Sequence, residues 1–232
     1  MRRALISALV GGFVACLAIT ATQQAVVVPL ILKAETFEEA KGDTPKPAAH
    51  DHGAAAGPGH RHDEEGWKPA EGLERAAFTA LANLGVGIGF ALILVAAYTL
   101  SGREVDGRQG LLWGAAGFLT FALAPSLGLP PELPGSVAAA LLPRQAWWLA
   151  SALATGTGLA LIVFGRHVAL KLLGVAAIVL PHVVGAPHPP MGEAGAAPPE
   201  LAARFAVMSL ATAAVFWAVL GWVSGAVWRR VS

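Results

Sequence analysis

Residues 124–148 read APSLGLPPELPGSVAAALLPRQAWW and interrupt an otherwise strongly apolar chain. The prolines in this stretch remove backbone donors and fix φ, so it cannot form one continuous helix. The sequence on both sides is long enough and apolar enough to cross a bilayer. We therefore expect a shaped loop between two membrane spans, with a candidate site at the membrane surface.

The composition around this stretch is that of an integral membrane protein. The 232-residue chain is 55% hydrophobic and only 13% charged. A helix needs about 20 apolar residues to cross about 30 Å of hydrocarbon. Six blocks that reach this length contain no Asp, Glu, Lys or Arg: 4–32, 76–102, 109–131, 145–165, 172–192 and 205–228. The sequence predicts an all-α, polytopic protein with about six transmembrane helices, in contact with a lipid bilayer.

The chain divides into three parts. We expect a first transmembrane helix in residues 1–32, a His- and acid-rich external loop in 33–75, and a five-helix membrane domain in 76–232. The predicted helices cover residues 4–30, 76–100, 110–127, 146–164, 167–184 and 205–228. The first ends close to Pro29, and two proline-rich external loops occupy residues 128–145 and 185–204. The Pro, Gly, Ala and His content of loop 33–75 is typical of disorder.

Loop charges predict the orientation. If both termini are cytoplasmic, the cytoplasmic connections are short and basic: Arg2, Arg3, Arg103, Arg108, Arg166, Lys171, Arg229 and Arg230. Density of Lys and Arg in short loops marks the inner side. We expect a multi-pass protein of the cell inner or plasma membrane, with the three long loops together on the external face. The basic residues are dispersed, so no nucleic-acid partner is predicted.

Histidines make the external face a candidate metal site. His50 and His52 form one H-x-H pair, and His60 and His62 form another ten residues later. Imidazole with carboxylate oxygens suits Co²⁺, Ni²⁺ and Zn²⁺. A metal-capturing tract and a solvated linker are equally compatible with this composition.

Further candidates lie near the predicted helix ends. His182 follows Pro181 at the membrane interface, where an ionisable residue is a functional candidate, although a structural hydrogen-bonding role is open. His188 lies nearby, and Glu35 and Glu132 could supply oxygen ligands. Ion pairing is an alternative for the carboxylates; the structural or ion-pair candidates are Glu38, Glu74, Arg75, Arg144, Gln145, Trp147 and Trp148.

Enzyme motifs are missing from the sequence. It contains no phosphate-binding G-x-x-x-x-G-K-[ST] loop, no H-E-x-x-H and no G-x-S-x-G. We predict that the chain is not an enzyme. An intramembrane hydrolase using His182, Glu132 and Arg144 has suitable residue types but no recognisable motif.

Several motifs together resemble the CbtA family of predicted cobalt transporter subunits. The matching residues span nearly the whole chain. They are Pro29, Ala34-Glu35, Phe37-Glu38, Trp67-Lys68-Pro69, the run from Gly72 to Arg75, Ala124-Pro125, the run from Leu127 to Gly135, Arg144-Gln145, Trp147-Trp148, Pro181-His182, Gly185-Ala186-Pro187 and Phe216-Trp217.

The resemblance implies a membrane transport subunit with a small single-span, histidine-bearing partner, CbtB. It implies Co²⁺ as the transported or bound ion, whereas the ligand types leave Ni²⁺ or Zn²⁺ open. We expect capture of ions at the external face by the histidine tract and a site drawing on His182, Glu132, Glu35 and His188. The alternative is a metal-binding sensor or chaperone that transports nothing.

Overall fold

The structure is a computed structural model, and it describes residues 1–42, 72–190 and 195–231. All secondary structure in these residues is helical. The elements are α1 (Arg2–Thr22), a π-helical turn π1 (Gln23–Val27), α2 (Val28–Gly42), α3 (Leu73–Ser101), α4 (Gly107–Phe118), a second π-helical turn π2 (Leu119–Leu123), α5 (Ala124–Ser126), α6 (Leu141–Phe164), α7 (Val168–Val184) and α8 (Pro199–Arg230). The predicted all-α class is confirmed.

Four of these helices are long and apolar enough to cross a membrane: Arg2–Ala40, Leu73–Ser101, Leu141–Phe164 and Pro199–Arg230. α7 is apolar but shorter, at 17 residues, which is about 25 Å of helix. α4 has 12 residues before π2 interrupts it. The predicted count of six spans is therefore not confirmed, although a helix occupies each of the six predicted positions.

The first helix does not end at Pro29 as expected. It continues through π1 and α2 to Gly42, so residues 33–42 of the predicted loop are helical. A proline ring inside an α-helix collides with the carbonyl four residues earlier. The wider π turn just before Pro29 relaxes this contact, and the chain stays helical beyond it.

Four other helices start before their predicted first residue: α3 and α4 by three residues, and α6 and α8 by five and six. α6 begins at Leu141 and includes Pro143, and α8 begins at Pro199. Proline is tolerated in the first turn, where the N–H has no helical acceptor. Both proline-rich loops are consequently shorter than the predicted ranges 128–145 and 185–204.

α8 holds the bundle together. It packs against α1 on one side and α4 on the other, whereas α3 and α4 touch only lightly. Glycines allow the close approach of α4 and α8: a Cβ on Gly110 would lie 2.1 Å from the carbonyl oxygen of Gly221. Small residues permit such backbone contact in lipid, where van der Waals packing replaces the hydrophobic effect between helices.

The remaining helices pair in the same way. Gly12 of α1 lies against Gly87 and Ile88 of α3, and Gly158 of α6 lies against Gly174 of α7. The aromatic core of the bundle lies between α1, α3, α4 and α8 and includes Tyr98, Phe216 and Trp217, which are 1–3% exposed.

A second apolar cluster forms one end of the bundle. Leu30 and Ala34 of the first helix pack with Leu133 of the proline loop and with Leu201 and Phe205 of α8. The backbone N–H of Ala196 also donates to the carbonyl of Gly135, at 3.2 Å. We call this region the loop end. It fixes the proline-rich loop that the sequence analysis singled out.

Candidate functional site

The four tract histidines, His50, His52, His60 and His62, lie outside the described residues. The other candidates lie at or near the loop end but do not converge. No group of three His, Cys, Asp or Glu side chains that could hold a metal occurs within 1–42, 72–190 and 195–231.

Glu35 is engaged by Arg75. The guanidinium donates to both carboxylate oxygens, with an Nη1–Oε2 distance of 3.3 Å. This bidentate geometry is the strong form of an arginine–carboxylate contact. The pair joins α2 to the first turn of α3 across 40 residues of sequence. Ion pairing, the alternative raised for these carboxylates, is thus the arrangement found.

Glu132 is also engaged by an arginine, Arg144, but through a single contact. Arg144 Nη2 donates to Glu132 Oε2 at 2.6 Å, tying the proline loop to the first turn of α6. Both side chains are about 30% exposed. The remaining carboxylates are peripheral: Glu38 lies near Gly135, and Glu74 is exposed.

A cavity of about 770 Å³ opens beside the Glu132–Arg144 pair. Phe121, Pro125 and Trp148 form apolar walls, and Gln145 contributes an amide. The phenyl ring of Phe121 lies 6.3 Å from Trp148, centroid to centroid. The predicted site residues Glu132, Arg144, Gln145 and Trp148 are therefore brought together, around a mainly apolar space.

His182, on α7, packs against a different face of α6 from the one that lines that cavity. Its ring stands edge-on to Trp147 at 5.8 Å, and the indole Nε1 of Trp147 donates to the carbonyl of Pro181 at 3.2 Å. The Nε2 atom of His182 is buried and has no hydrogen-bond partner among the described residues. A buried polar atom without a partner is rare and costs free energy. His188, six residues on, is exposed.

A second cavity, of about 370 Å³, was not predicted. It lies between the first helix and α3, and its polar lining comes from Gln23, Gln24, Arg75 and Thr79. Beneath it, Asn83 Nδ2 donates to Gln23 Oε1 at 2.7 Å and to Thr20 Oγ1 at 3.0 Å. Gln23 is therefore hydrogen-bonded across the interface between the first helix and α3.

Sequence reasoning overlooked Asn83. An asparagine inside a charge-free block is costly in lipid unless it has a partner. That signal was present in residues 76–102, but its partner could be named only once α1 and α3 were known to be adjacent.

Of three comparisons with known proteins, one gives a match. No curated protein and no solved structure matches the chain. One family model, described as probable cobalt transporter subunit, matches residues 1–229. With a match of that extent, and with apolar helices long enough to span a bilayer, the chain belongs to the CbtA family of probable cobalt transporter subunits, multi-pass proteins of the membrane.

Proposed function

We propose that this chain captures Co²⁺ at its loop end and passes it into the membrane as one subunit of a transporter. The family match over residues 1–229 is the observation that carries this proposal. The ligand types do not distinguish Co²⁺ from Ni²⁺ or Zn²⁺. The chain would be a transport subunit and not an enzyme.

Capture begins at the histidine tract in this proposal. His50, His52, His60 and His62 would exchange ions rapidly and weakly, and so raise their concentration at the surface. Conduction needs sites from which the ion can leave again. Separate, imperfect sites suit that requirement better than one closed cage.

His182 would receive the ion next. Its buried Nε2 atom, which has no partner among the described residues, could offer a lone pair to a metal. One imidazole cannot complete a coordination shell, so other ligands must approach: His188, the tract, or a histidine of the partner subunit. A small, single-span, histidine-bearing subunit of the CbtB type fits this need.

Glu132 and Glu35 would become ligands only after the ion has displaced the arginine that each of them contacts. Each carboxylate is engaged by an arginine. A divalent ion that bound either carboxylate would displace Arg144 or Arg75. Before the ion binds, these ion pairs would hold α2 against α3 and the proline loop against α6. Binding of the ion would break them and free these segments to move.

The orientation follows from charge. The short, basic connections at Arg103, Arg108 and Arg166, with both basic termini, favour the cytoplasm. The loop end would then face outward, where the tract meets incoming ions.

Uptake of radiolabelled Co²⁺ into proteoliposomes, with and without the small partner, tests this function. His167→Ala is the matched control for His182→Ala, because His167 is exposed and precedes the opposite end of the same helix. We expect uptake to fall at least tenfold with His182→Ala and to be unchanged with His167→Ala. Equal uptake by both variants would remove His182 from the path.

Replacing all four tract histidines by alanine separates transport from sensing. A transporter keeps its maximal uptake but needs a higher Co²⁺ concentration, because the tract only concentrates the ion. Bound Co²⁺ with no uptake under any condition would instead favour a metal sensor or chaperone.

A further inference from the structure

The backbone carbonyl of Gln24 lacks the donors that a helix normally supplies. In an α-helix it would accept from Val28, but the Val28 N–H bonds to the carbonyl of Gln23. In a continued π-helix it would accept from residue 29, and Pro29 has no N–H. Because of π1 and Pro29, the carbonyl of Gln24 has neither of its two possible helical hydrogen-bond donors. This carbonyl lies inside the apolar block 4–32.

The surroundings of Gln24 place polar side chains among apolar ones. Gln23, Gln24 and Thr79 line the 370 Å³ cavity together with apolar residues of the first helix, Val27, Val28, Ile31 and Leu32. The Asn83 amide donates a hydrogen bond to the side-chain oxygen of Gln23, and the hydroxyl of Thr79 donates to the carbonyl of Arg75 at 2.8 Å. Their oxygen atoms retain unused lone pairs.

The atoms that this cavity could offer as ligands to a cation are neutral oxygens. Its lining includes no His, Cys, Asp or Glu from the described ranges. Arg75, the charged residue in the lining, is engaged by Glu35 at the cavity rim. A divalent transition ion prefers nitrogen or sulfur and gains from carboxylates. Broken-helix carbonyls together with amide and hydroxyl oxygens are the ligands that alkali cations use inside membranes.

We propose that the cavity between π1 and α3 binds a monovalent alkali cation through the free carbonyl of Gln24 and the side-chain oxygens of Gln23, Gln24 and Thr79. The site is separate from the cobalt path, because it uses none of the histidines. In a transporter, occupation of such a site could couple an alkali-ion gradient to metal movement across the bilayer.

The test uses ligand stabilisation of the full-length protein in detergent. A cation that binds the folded state raises the midpoint temperature of unfolding in a concentration-dependent way. We expect LiCl, NaCl or KCl to raise it relative to choline chloride at equal ionic strength. No difference between the alkali salts and choline chloride would overturn the proposal and leave a cavity that holds water only.

Pro29→Ala tests the assignment of the carbonyl. It restores an N–H that can satisfy Gln24, and it removes the ring from the helix interior. The variant should keep or raise its midpoint in choline chloride and lose the shift caused by the alkali salt. The matched control is Pro125→Ala, since Pro125 follows π2 in the same register but away from this cavity. Persistence of the shift in Pro29→Ala, or its loss in both variants, would overturn the assignment.

Gln24→Leu provides a second test if Pro29→Ala rearranges the helix. We expect it to lose the shift, whereas Gln145→Leu, in the other cavity, should keep it. A shift that survives Gln24→Leu would place the cation elsewhere. None of these readouts requires cobalt uptake, so the alkali site and the cobalt function can fail independently.

Discussion

The two π-helical turns are built alike but lie in different surroundings. Each is five residues long and is followed by a proline at the second position after it, Pro29 or Pro125. In the second turn, the Ala124 N–H bonds to Leu119, so the carbonyl of Thr120 loses its donors just as that of Gln24 does. The same backbone device thus occurs twice in one membrane domain.

The neighbours of the two turns differ in polarity. π1 faces Asn83, Thr20 and a cavity to which Gln23 and Gln24 contribute amides. π2 lies among aromatic rings: Phe121 stacks on Trp217 with centroids 5.7 Å apart and 6° between the planes. Thr120 is 8% exposed, with its methyl group against Gly156. The side chains around the two broken helices therefore differ, and we expect them, rather than the turn alone, to decide whether each can bind an ion.

Removing the aromatic support of π2 should have the largest effect on stability. Trp217→Ala deletes contacts to Phe90, Phe121 and Phe216 and leaves a cavity in the core. We expect it to lower the free energy of unfolding by about 3 kcal/mol or more. Asn83→Ala, beside π1, removes two hydrogen bonds and should cost only about 1 kcal/mol.

Unfolding by SDS in mixed micelles measures this difference directly. Trp222→Ala is the matched control, because the Trp222 side chain is 58% exposed on the same helix. If Asn83→Ala destabilised the protein as much as Trp217→Ala, the polar surroundings of π1 would be a structural core and the contrast between the turns would fail.

The arginine–glutamate pairs beside the two turns should contribute less. Their side chains are about one-third exposed, so solvent screens them. Double-mutant cycles on Glu35 with Arg75, and on Glu132 with Arg144, should give coupling energies below about 1 kcal/mol. The couplings should shrink as salt is added.

The same cycles distinguish ion pair from metal ligand. If Glu132 binds Co²⁺, its coupling to Arg144 should fall when Co²⁺ is added, whereas a purely structural pair should respond only to ionic strength. A response to ionic strength alone at both pairs would remove Glu132 and Glu35 from the cobalt path.

The smallest effect is expected at the start of the helix that leads to π2. Asp106 caps α4 by accepting from the Gln109 N–H at 2.9 Å. This bond, the Arg108 N–H and the charges of Arg229 and Arg108 lower the pKa of Asp106 below its usual value. Because the folded state binds the proton more weakly than the unfolded state, the contribution to stability is present above the unfolded pKa. It is lost as the pH falls through the lower, folded pKa.

Asp106→Asn should therefore lower the midpoint of thermal unfolding slightly at neutral pH. The difference from wild type should vanish in acid, well below the ordinary aspartate pKa of about 3.9. The first helix has no side-chain cap at its start, so a matching pH-dependent cap is not expected there. A difference that persisted in acid would show that charge is not what Asp106 contributes.

Much of the fold could be predicted because lipid demands long charge-free helices. The apolar blocks located α3, α6, α7 and α8 to within a few residues. The prediction was wrong where proline was treated as an end: the helix that contains Pro29 runs on to Gly42. A π turn that absorbs a proline depends on neighbouring helices, which a single sequence does not reveal.

The candidate site was predictable in its residue types but not in its pairing. The pattern singled out Glu132, Arg144 and His182, and two of them form an ion pair while His182 faces another helix. Trp147 and Trp148 are adjacent in sequence, but neighbouring residues on a helix point about 100° apart. Trp147 packs against His182, whereas Trp148 lines the 770 Å³ cavity. The Gln23–Asn83 bond needed the contact between α1 and α3, which lies 60 residues apart in sequence.

The position of α8 has a consequence for biosynthesis. α1 with α3 and α4 with α6 are joined chiefly through this C-terminal helix. During translation, the glycine-lined faces of α1 and α4 must wait in the bilayer until α8 is synthesised. Loss of α8 would leave two helix groups joined only by the light contact between α3 and the α4–π2 segment.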